Sequence, residues 1–185
     1  MVEIRSICVF CGSSLGDREI YRQQAQILGE TIAKHDIELI YGGAHVGLMG
    51  IVADAALAAN GVVTGIIPTM LRRVEVAHEG LTHMIEVETM FARKAVMIER
   101  ADAFVSLPGG IGTVDEMMEV VTLRLLGLHA KPSVLVDVDG YWSDLTTMLD
   151  GLIAHRFAPE TIHDFYSLVP DAEAVLPALG VARPA

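Results

Sequence analysis

Short runs of apolar residues alternate along the chain with longer stretches in which apolar residues recur every three or four positions. The short runs predict β-strands, and several are apolar on both faces, as parallel strands covered by helices are. The predicted strands are Ile4–Phe10, Ile37–Tyr41, Val62–Ile67, Met84–Val87, Ala103–Leu107, Ser133–Val138 and Tyr166–Val169. The longer stretches predict helices at Asp17–His35, Gly47–Asn60, Thr89–Ala101, Thr113–Leu128 and Trp142–His155.

This alternation predicts a parallel sheet whose crossover connections are right-handed. We expect an open three-layer, Rossmann-like α/β fold with a mainly parallel sheet of about seven strands. A length of 185 residues with 52% hydrophobic content suits a single domain over residues 1–185. In such a fold ligands bind beyond the carboxyl ends of the strands, on the loops that lead into helices.

The net charge limits the kinds of binding partner, and the cysteines bear on redox chemistry and location. With 24 Asp and Glu against 13 Lys and Arg, the formal net charge is −11, which disfavours nucleic acid and anionic membranes as partners. Cys8 and Cys11 have the C-x-x-C spacing, but on a strand they point to opposite faces, so we expect two buried thiols rather than a redox pair. Without a disulfide framework or an export signal, the expected location is cytoplasmic.

Three loops that follow predicted strands are rich in glycine and are the candidates for chemistry. They are Cys11–Ser14, Tyr41–Gly50 and Leu107–Thr113. Successive glycines let several amides point at one anion, and the N-terminus of the following helix adds partial positive charge. The loops lack the lysine of a P-loop and the last glycine of a dinucleotide fingerprint, so neither ATP hydrolysis nor NAD binding is supported. We infer a site for a monophosphate or similar anion; the alternative is that the glycines only make tight turns.

Two charged groups accompany these loops. Glu116 either forms a capping box with Thr113 or faces the sugar of a nucleotide, where a carboxylate stabilises an oxocarbenium-like state and activates water. Arg93, beside Lys94, is either a solvated flank or an electrostatic clamp, since arginine stays protonated in proteins. The seven histidines show no metal-binding spacing, so we expect no metal and no cofactor. Among them, His45 lies in the second glycine loop, as a turn residue or close to a ligand.

Three segments together resemble a known family. Pro108–Glu116 reads P-G-G-x-G-T-x-x-E, Met90–Lys94 is similar to M-H-x-R-K, and Tyr41–Gly50 is similar to Y-G-G-G-x-x-G-L-M-G. These segments resemble the Lonely Guy family of cytokinin riboside 5′-monophosphate phosphoribohydrolases, long mislabelled as lysine decarboxylases. The resemblance implies hydrolysis of the N-glycosidic bond of an adenosine-type 5′-monophosphate, which releases the free base and ribose 5-phosphate. It also implies at least a homodimer.

The resemblance carries over residue by residue. It implies that Arg93 and Glu116 are the catalytic pair and that the third glycine loop binds the phosphate. The substrate-binding residues it implies are Ser13, Gly43, Glu75, Met90, Lys94, Gly109, Gly110, Ile111, Gly112, Thr113, Asp115 and Thr122. Three features depart from the family pattern. Phe91 replaces a histidine, Ala44 replaces a glycine, and Leu123 and Leu125 replace a tryptophan and a glutamine.

Two other functions compete with this interpretation. A decarboxylase that uses pyridoxal phosphate needs a Schiff-base lysine, and the chain offers only Lys34, Lys94 and Lys131. A non-catalytic carrier of a nucleotide or of the molybdenum cofactor would use similar loops without turnover. A nucleosidase that acts on plain AMP is a variant of the enzymatic interpretation.

Overall fold

The seven predicted apolar runs form one parallel sheet in the computed structural model, which describes residues 3–72 and 77–182. The strands are β1 Ser6–Phe10, β2 Glu38–Tyr41, β3 Val63–Pro68, β4 His83–Val87, β5 Ala103–Ser106, β6 Ser133–Val136 and β7 Ser167–Val169. Their order across the sheet is β4-β3-β2-β1-β5-β6-β7, and every pairing is parallel. The predicted α/β fold and all seven predicted strands are confirmed.

Six α-helices of the described residues cover the sheet. They are α1 Glu19–Lys34, α2 Gly47–Ala58, α3 Met90–Arg100, α4 Ile111–Leu125, α5 Ser143–Ala154 and the short α6 Val175–Ala178. Three 3₁₀ turns lie at Val138–Gly140, Glu160–Phe165 and Ala172–Ala174. Among the helices in these described ranges, none is long and apolar enough to cross a membrane.

Alternate residues of each strand serve opposite layers of the core. Ile7 and Val9 of β1 pack with α1, α2 and α6, whereas Cys8 and Phe10 pack with α3 and α4. This alternation is the period of two of an extended chain, and it explains why the central strands are apolar on both faces. The two cysteines lie in different layers as free buried thiols, and burial raises the pKa of Cys8 well above its usual range. The structure therefore confirms the expectation of buried thiols.

The helix predicted at Thr113–Leu128 is displaced towards the N-terminus. Helix α4 begins at Ile111 after Gly110 and ends at Leu125. Its end is a Schellman turn: Gly127 has φ of +71°, and the Leu128 N–H donates to Leu123 O at 3.0 Å. The apolar periodicity continues through Leu128, but glycine and its left-handed backbone end the helix first.

The strand order reverses at β1. From β1 the chain moves through α1 to β2 on one side, and from β5 it moves through α4 to β6 on the other. The loops after β1 and β5 therefore diverge and leave a crevice at the carboxyl edge, where ligands bind in open α/β sheets. The first and third glycine loops, Cys11–Ser14 and Leu107–Thr113, border this crevice. The second loop, Tyr41–Gly50, follows the neighbouring strand β2.

Candidate active site

The three glycine loops are joined by backbone hydrogen bonds. The Gly12 N–H donates to Pro108 O at 3.1 Å, and the Leu48 N–H at the start of α2 donates to Gly12 O at 3.0 Å. Gly47 has φ of +60°, and a Cβ there would overlap the backbone of Ser13 and Ser14. Glycine is thus required where the first and second loops meet, because a side chain would push them apart.

A cleft of about 230 Å³ opens beside these loops. Nine of the residues predicted for the site line it: Ser13, Met90, Arg93, Gly110, Ile111, Gly112, Thr113, Asp115 and Glu116. The cleft therefore gathers residues from the loop after β1, the start of α3 and the start of α4. The predictions from the third loop and from the Met90–Lys94 segment converge on one place in space.

The remaining predicted residues lie elsewhere. Gly109 borders a neighbouring crevice, and Gly43 lies in the second loop, where its carbonyl accepts from the His78 N–H at 3.0 Å. Thr122 is exposed on α4, six residues after Glu116 and about 9 Å farther along the helix. Glu75 lies outside the described residues. Their predicted roles in binding stay predictions.

Arg93 is 5% exposed and joins two strands. Its Nε donates to Ile66 O of β3 at 3.1 Å, and its Nη2 donates to Gly42 O after β2 at 2.8 Å. A Cβ on Gly42 would overlap this guanidinium, so the second loop must begin with glycine. A solvated flank is therefore the wrong interpretation of Arg93: it is a buried cation at the floor of the cleft. Two of its partners are neutral carbonyls, and its Nη1 lies 3.9 Å from Met90 Sδ.

Glu116 lies in the cleft one turn into α4 and is half-buried. The capping box, one of the two alternatives for Glu116, is wrong as predicted, because Gly110 and not Thr113 occupies the N-cap. Thr113 is instead inside the first turn and 3% exposed. With the helix start two residues earlier than predicted, Thr113 is not the residue that begins α4.

The thiol of Cys11 at the floor of the cleft is affected by both charged residues. Burial raises the pKa of Cys11 above its usual range, the negative charge of Glu116 raises it further, and the positive charge of Arg93 lowers it. One buried group therefore experiences the two opposite charges together. Both charges act where a ligand in the cleft would lie.

Helix α4 presents its N-terminus to the cleft. Its first internal hydrogen bond runs from the Val114 N–H to Gly110 O at 3.1 Å, so the amides before Val114 have no acceptor within the helix. Gly110, Ile111, Gly112 and Thr113 all border the cleft. Amides without an acceptor inside the helix and the positive end of the helix dipole favour a phosphate or carboxylate here.

Lys94 is occupied by acidic side chains of α4. Its Nζ lies 2.9 Å from Asp115 Oδ2 and 2.7 Å from Glu119 Oε2, with 12% of the side chain exposed. Hydrogen bonding to Glu119 is the main cause that raises the pKa of Lys94. The ion pairs fasten α3 to α4, which carry Arg93 and Glu116 respectively. Phe91, which replaces the family histidine, is 81% exposed with its ring 5.8 Å from Lys94 Nζ.

The placement of the three lysines argues against a pyridoxal enzyme. Lys34 pairs with Glu30 at the end of α1, and Lys131 donates to Ile98 O and Glu99 O before β6, at the amino edge of the sheet. Lys94 is engaged as described above. None of the three lines the cleft, and a Schiff base would need a lysine there.

The one cluster of potential metal ligands in the described part of the chain is His45, Asp54 and His78, whose ligand atoms lie within 4.8 Å of one another. His78 Nε2 lies 2.9 Å from Asp54 Oδ1, and the Gly80 N–H donates to His78 Nδ1 at 3.0 Å. Because Nδ1 accepts that hydrogen bond, the proton of a neutral His78 sits on Nε2 and donates to Asp54. This tautomer suits a hydrogen-bonded link between α2 and the segment after residue 76, not a cation.

Reasoning from the sequence missed three residues around the site. Cys11 and Met49 line the cleft, and Tyr141 bonds to the third loop from beyond β6. Met49 lies in the second glycine loop, Tyr41–Gly50, and Cys11 directly follows β1. Their place in loops that follow strands was therefore the signal that could have identified them. Nothing local in the sequence links Tyr141 to Gly109, 32 residues earlier.

Comparison with known proteins identifies the family of the chain. Residues 49–179 match the family model described as possible lysine decarboxylase. The chain is 44% identical over 172 residues to a probable cytokinin riboside 5′-monophosphate phosphoribohydrolase of Oryza sativa subsp. japonica, covering 93% of this chain and 76% of that one. It is 40% identical to the cytokinin riboside 5′-monophosphate phosphoribohydrolase of Rhodococcoides fascians, covering 95% and 89% of the two chains.

Solved structures show the same fold at lower identity. The molybdenum cofactor binding protein of Rippkaea orientalis superposes with a TM-score of 0.74 at 19% identity, over 97% of this chain and 98% of that chain. The Moco carrier protein of Chlamydomonas reinhardtii gives 0.71 at 22% identity, over 96% of each chain. These likenesses establish the fold alone. The matched family model and the identity to the curated relatives show that the chain belongs to the Lonely Guy family of cytokinin riboside 5′-monophosphate phosphoribohydrolases.

Proposed function

We propose that this protein hydrolyses the N-glycosidic bond of adenosine-type 5′-monophosphates, including N6-substituted ones, to the free base and ribose 5-phosphate. The observation that carries the proposal is that Glu116 and Arg93 line the same cleft as the first residues of α4. One cleft thus offers the N-terminus of a helix for an anion, a carboxylate and a buried cation. Each has a part in the hydrolysis of a nucleotide at its sugar.

The phosphate binds first in this proposal. The amides from Gly110 to Thr113 and the Thr113 hydroxyl hold it at the N-terminus of α4, where the helix dipole favours negative charge. Glu116 lies five residues after Ile111, about 7.5 Å along the helix, so the sugar reaches the carboxylate while its phosphate stays at the helix end. Phosphate binding therefore positions the reacting carbon, and the energy of that contact is used for orientation.

Glu116 then acts at the anomeric carbon. As the base leaves, positive charge develops on the sugar, and a fixed carboxylate in a partly buried cleft stabilises it. The same carboxylate accepts a proton from the attacking water. The water oxygen bonds to the anomeric carbon, and the bond from that carbon to the base nitrogen breaks. The base takes a proton from solvent, and Glu116 returns to solvent the proton that it took from the water.

Arg93 supplies the positive charge opposite Glu116. Because two of its nitrogens are held by the carbonyls of Ile66 and Gly42, the guanidinium has a fixed place, and it stabilises the electrons left on the departing base without giving up its proton. Ser13, Met90 and Asp115 complete the lining of the cleft, and we propose that they contact substrate. For Lys94 we propose an indirect part, through the ion pairs that fix α3 to α4.

We further propose a homodimer or larger homo-oligomer that acts through one nucleotide-binding domain per chain. Leu126 and Leu128 are 66% and 68% exposed directly after α4, beside the half-exposed Leu125. Three adjacent apolar side chains at one helix end are typical of a covered surface. Light scattering measures the mass in solution, and the mass of a monomer would contradict this proposal. The cytoplasmic location stays a prediction.

The test of the function is hydrolysis of AMP and of N6-isopentenyl-AMP, with measurement of free base and ribose 5-phosphate. We expect both products from the native protein, and a loss of about 10²–10⁴-fold in kcat for Glu116→Gln, the range that general acid–base groups contribute. Glu30→Gln on α1, which makes the same change of charge far from the cleft, is the matched control and should leave kcat unchanged.

Two outcomes would contradict the enzymatic proposal. Turnover that persists in Glu116→Gln at the native rate would remove this carboxylate from the mechanism. Binding of AMP by the native protein without release of either product would favour the carrier instead. A preference between the two substrates would show which base the cleft is shaped to accept.

A further inference from the structure

Tyr141 reaches the third glycine loop from a distant part of the chain. Its hydroxyl donates to Gly109 O at 2.6 Å, across 32 residues of sequence. Both residues border a crevice of about 330 Å³, whereas Gly110 borders this crevice and the cleft as well. The peptide between Gly109, which lines the crevice alone of the two, and Gly110, which lines both, therefore lies where the two spaces meet.

The direction of that peptide follows from its planarity. In a trans peptide the C=O and the following N–H point in opposite directions. Since the Gly109 carbonyl points at Tyr141 in the crevice, the Gly110 N–H points away from Tyr141, towards the side of the loop that carries the cleft. Tyr141 thus sets the direction of the first amide in the proposed phosphate site.

This peptide needs an external restraint. It is flanked by glycine on both sides, so no Cβ hinders its rotation. The Gly109 backbone itself is tightly packed, since a Cβ there would overlap Thr113 Oγ1 and come within 2.9 Å of Gly12 N. Rotation of the peptide plane is the freedom that remains, and it would turn the Gly110 N–H out of the cleft.

Tyr141 is well placed to supply the restraint. Its ring packs edge-on against Tyr21 at 5.6 Å and against Trp142 at 5.0 Å between centroids. Trp142 is buried, and its backbone N–H donates to Asp137 Oδ1 at 2.7 Å. The phenol is thus anchored on α1 and on the turn after β6, so its hydroxyl does not move with the loop it holds.

We infer that Tyr141 is a positioning residue for phosphate binding: it holds the Gly109–Gly110 peptide so that the Gly110 amide faces the 5′-phosphate of the substrate. The inference rests on the proposed function for the identity of the ligand. It adds a residue outside the cleft that governs affinity for the phosphorylated part of the substrate. It also assigns a task to a hydroxyl that contacts no substrate.

The test compares Tyr141→Phe with Tyr21→Phe, which removes a hydroxyl from the same crevice without touching Gly109. For Tyr141→Phe we expect KM for AMP and Kd for ribose 5-phosphate to rise about three- to tenfold, the effect of one hydrogen bond, with kcat within about twofold. Tyr21→Phe should keep all three values within about twofold of the native protein. Calorimetry measures the Kd without any turnover.

A second measurement does not depend on a variant. In ¹⁵N–¹H spectra of the native protein, the Gly110 amide proton should move downfield when ribose 5-phosphate is added. Native KM and Kd in Tyr141→Phe, or a Gly110 amide that does not respond while its neighbours do, would overturn the inference. If Tyr141→Phe weakens ribose 5-phosphate but the native protein does not hydrolyse AMP, the proposed function fails alone. No binding of ribose 5-phosphate to the native protein would overturn both.

Discussion

The N-termini of α3 and α4 border the same cleft but differ in their N-cap residues. At α3 the hydroxyl of Thr89 accepts from the Ala92 N–H at 3.1 Å, so a side chain satisfies one amide of the first turn. At α4 the N-cap is Gly110, which has no side chain to offer. The N-terminus of α2, the third nearby, is occupied by the backbone of the first loop through Leu48 and Gly12.

This difference identifies the anion site more sharply than the count of glycines does. Each helix N-terminus carries amides without internal acceptors, and a side-chain oxygen or a neighbouring carbonyl normally satisfies some of them. Where the N-cap residue offers no side chain, a ligand in the cleft can supply the acceptor. Only α4 of the three combines such an N-terminus with a following carboxylate in the cleft, Glu116.

Among the variants that test this comparison of helix ends, the largest effect is expected at Gly109. Gly109→Ala places a Cβ on Thr113 Oγ1 and within 2.9 Å of Gly12 N, so the loop must shift. We expect the free energy of unfolding to fall by about 1–3 kcal/mol, as overpacking does, and kcat/KM for AMP to fall by about 10²-fold. Chemical unfolding and steady-state kinetics measure the two.

Gly151→Ala on α5 is the matched control, because nothing lies within 4 Å of a Cβ at that position. Alanine in a helix reduces the freedom of the unfolded chain, so this variant should gain up to about 1 kcal/mol with native activity. If Gly109→Ala were as stable and as active as Gly151→Ala, the close packing of the third loop would have no part in the site.

A pair of threonine variants tests the two helix ends directly. Thr89→Ala removes the cap of α3 and should lower the free energy of unfolding by about 1 kcal/mol, with little change in KM. Thr113→Val keeps the shape of a buried side chain and removes only its hydroxyl, so KM for AMP should rise about three- to tenfold while stability changes less. Equal effects of both variants on KM would contradict the contrast between the N-terminus of α3, which Thr89 caps, and that of α4, which has no side-chain cap.

The sheet was predictable because burial on both faces requires continuous apolar strands, a pattern visible within five or six residues. The ends of the helices were less predictable. The apolar positions of α4 predicted Thr113–Leu128, but periodicity does not show where the first hydrogen bond forms, and the two residues by which the start moved decide whether Thr113 is a cap. The two-residue shift in the boundary thus removes one of the two alternatives for Glu116, the capping box with Thr113 as the N-cap.

The cleft shows a similar division. The motif that contains Gly110 and Glu116 is local, so its role was open to prediction. The partners of Arg93, Ile66 and Gly42, come from two other strands, and Tyr141 acts across 32 residues. Such contacts depend on the order of strands in the sheet, which the linear pattern does not specify.

The smallest effect concerns the opposite end of α4. His129 Nε2 donates to Val120 O at 3.0 Å, and its Nδ1 accepts from the Lys131 N–H at 3.2 Å, so the neutral ring has both nitrogens satisfied. Burial, more than the charges of Lys131 and Arg124, lowers the pKa of His129. Below about pH 6.5 His129 therefore binds a proton more readily in the unfolded chain than in the folded chain.

The sign of the pH effect follows from that difference in proton binding. Because the unfolded state binds more protons there, the contribution of His129 to the free energy of unfolding is present above about pH 6.5 and is lost as the pH falls. Urea unfolding at about pH 7.5 and pH 5.5 should show a smaller loss for His129→Asn than for the native protein, with equal KM at the higher pH. An identical loss in both would show that this ring does not control the acid sensitivity. A change in KM at the higher pH would instead show that the two ends of α4 are coupled. The N-terminus of α4, which lines the cleft, would then depend on the contacts of His129 at the other end of the helix.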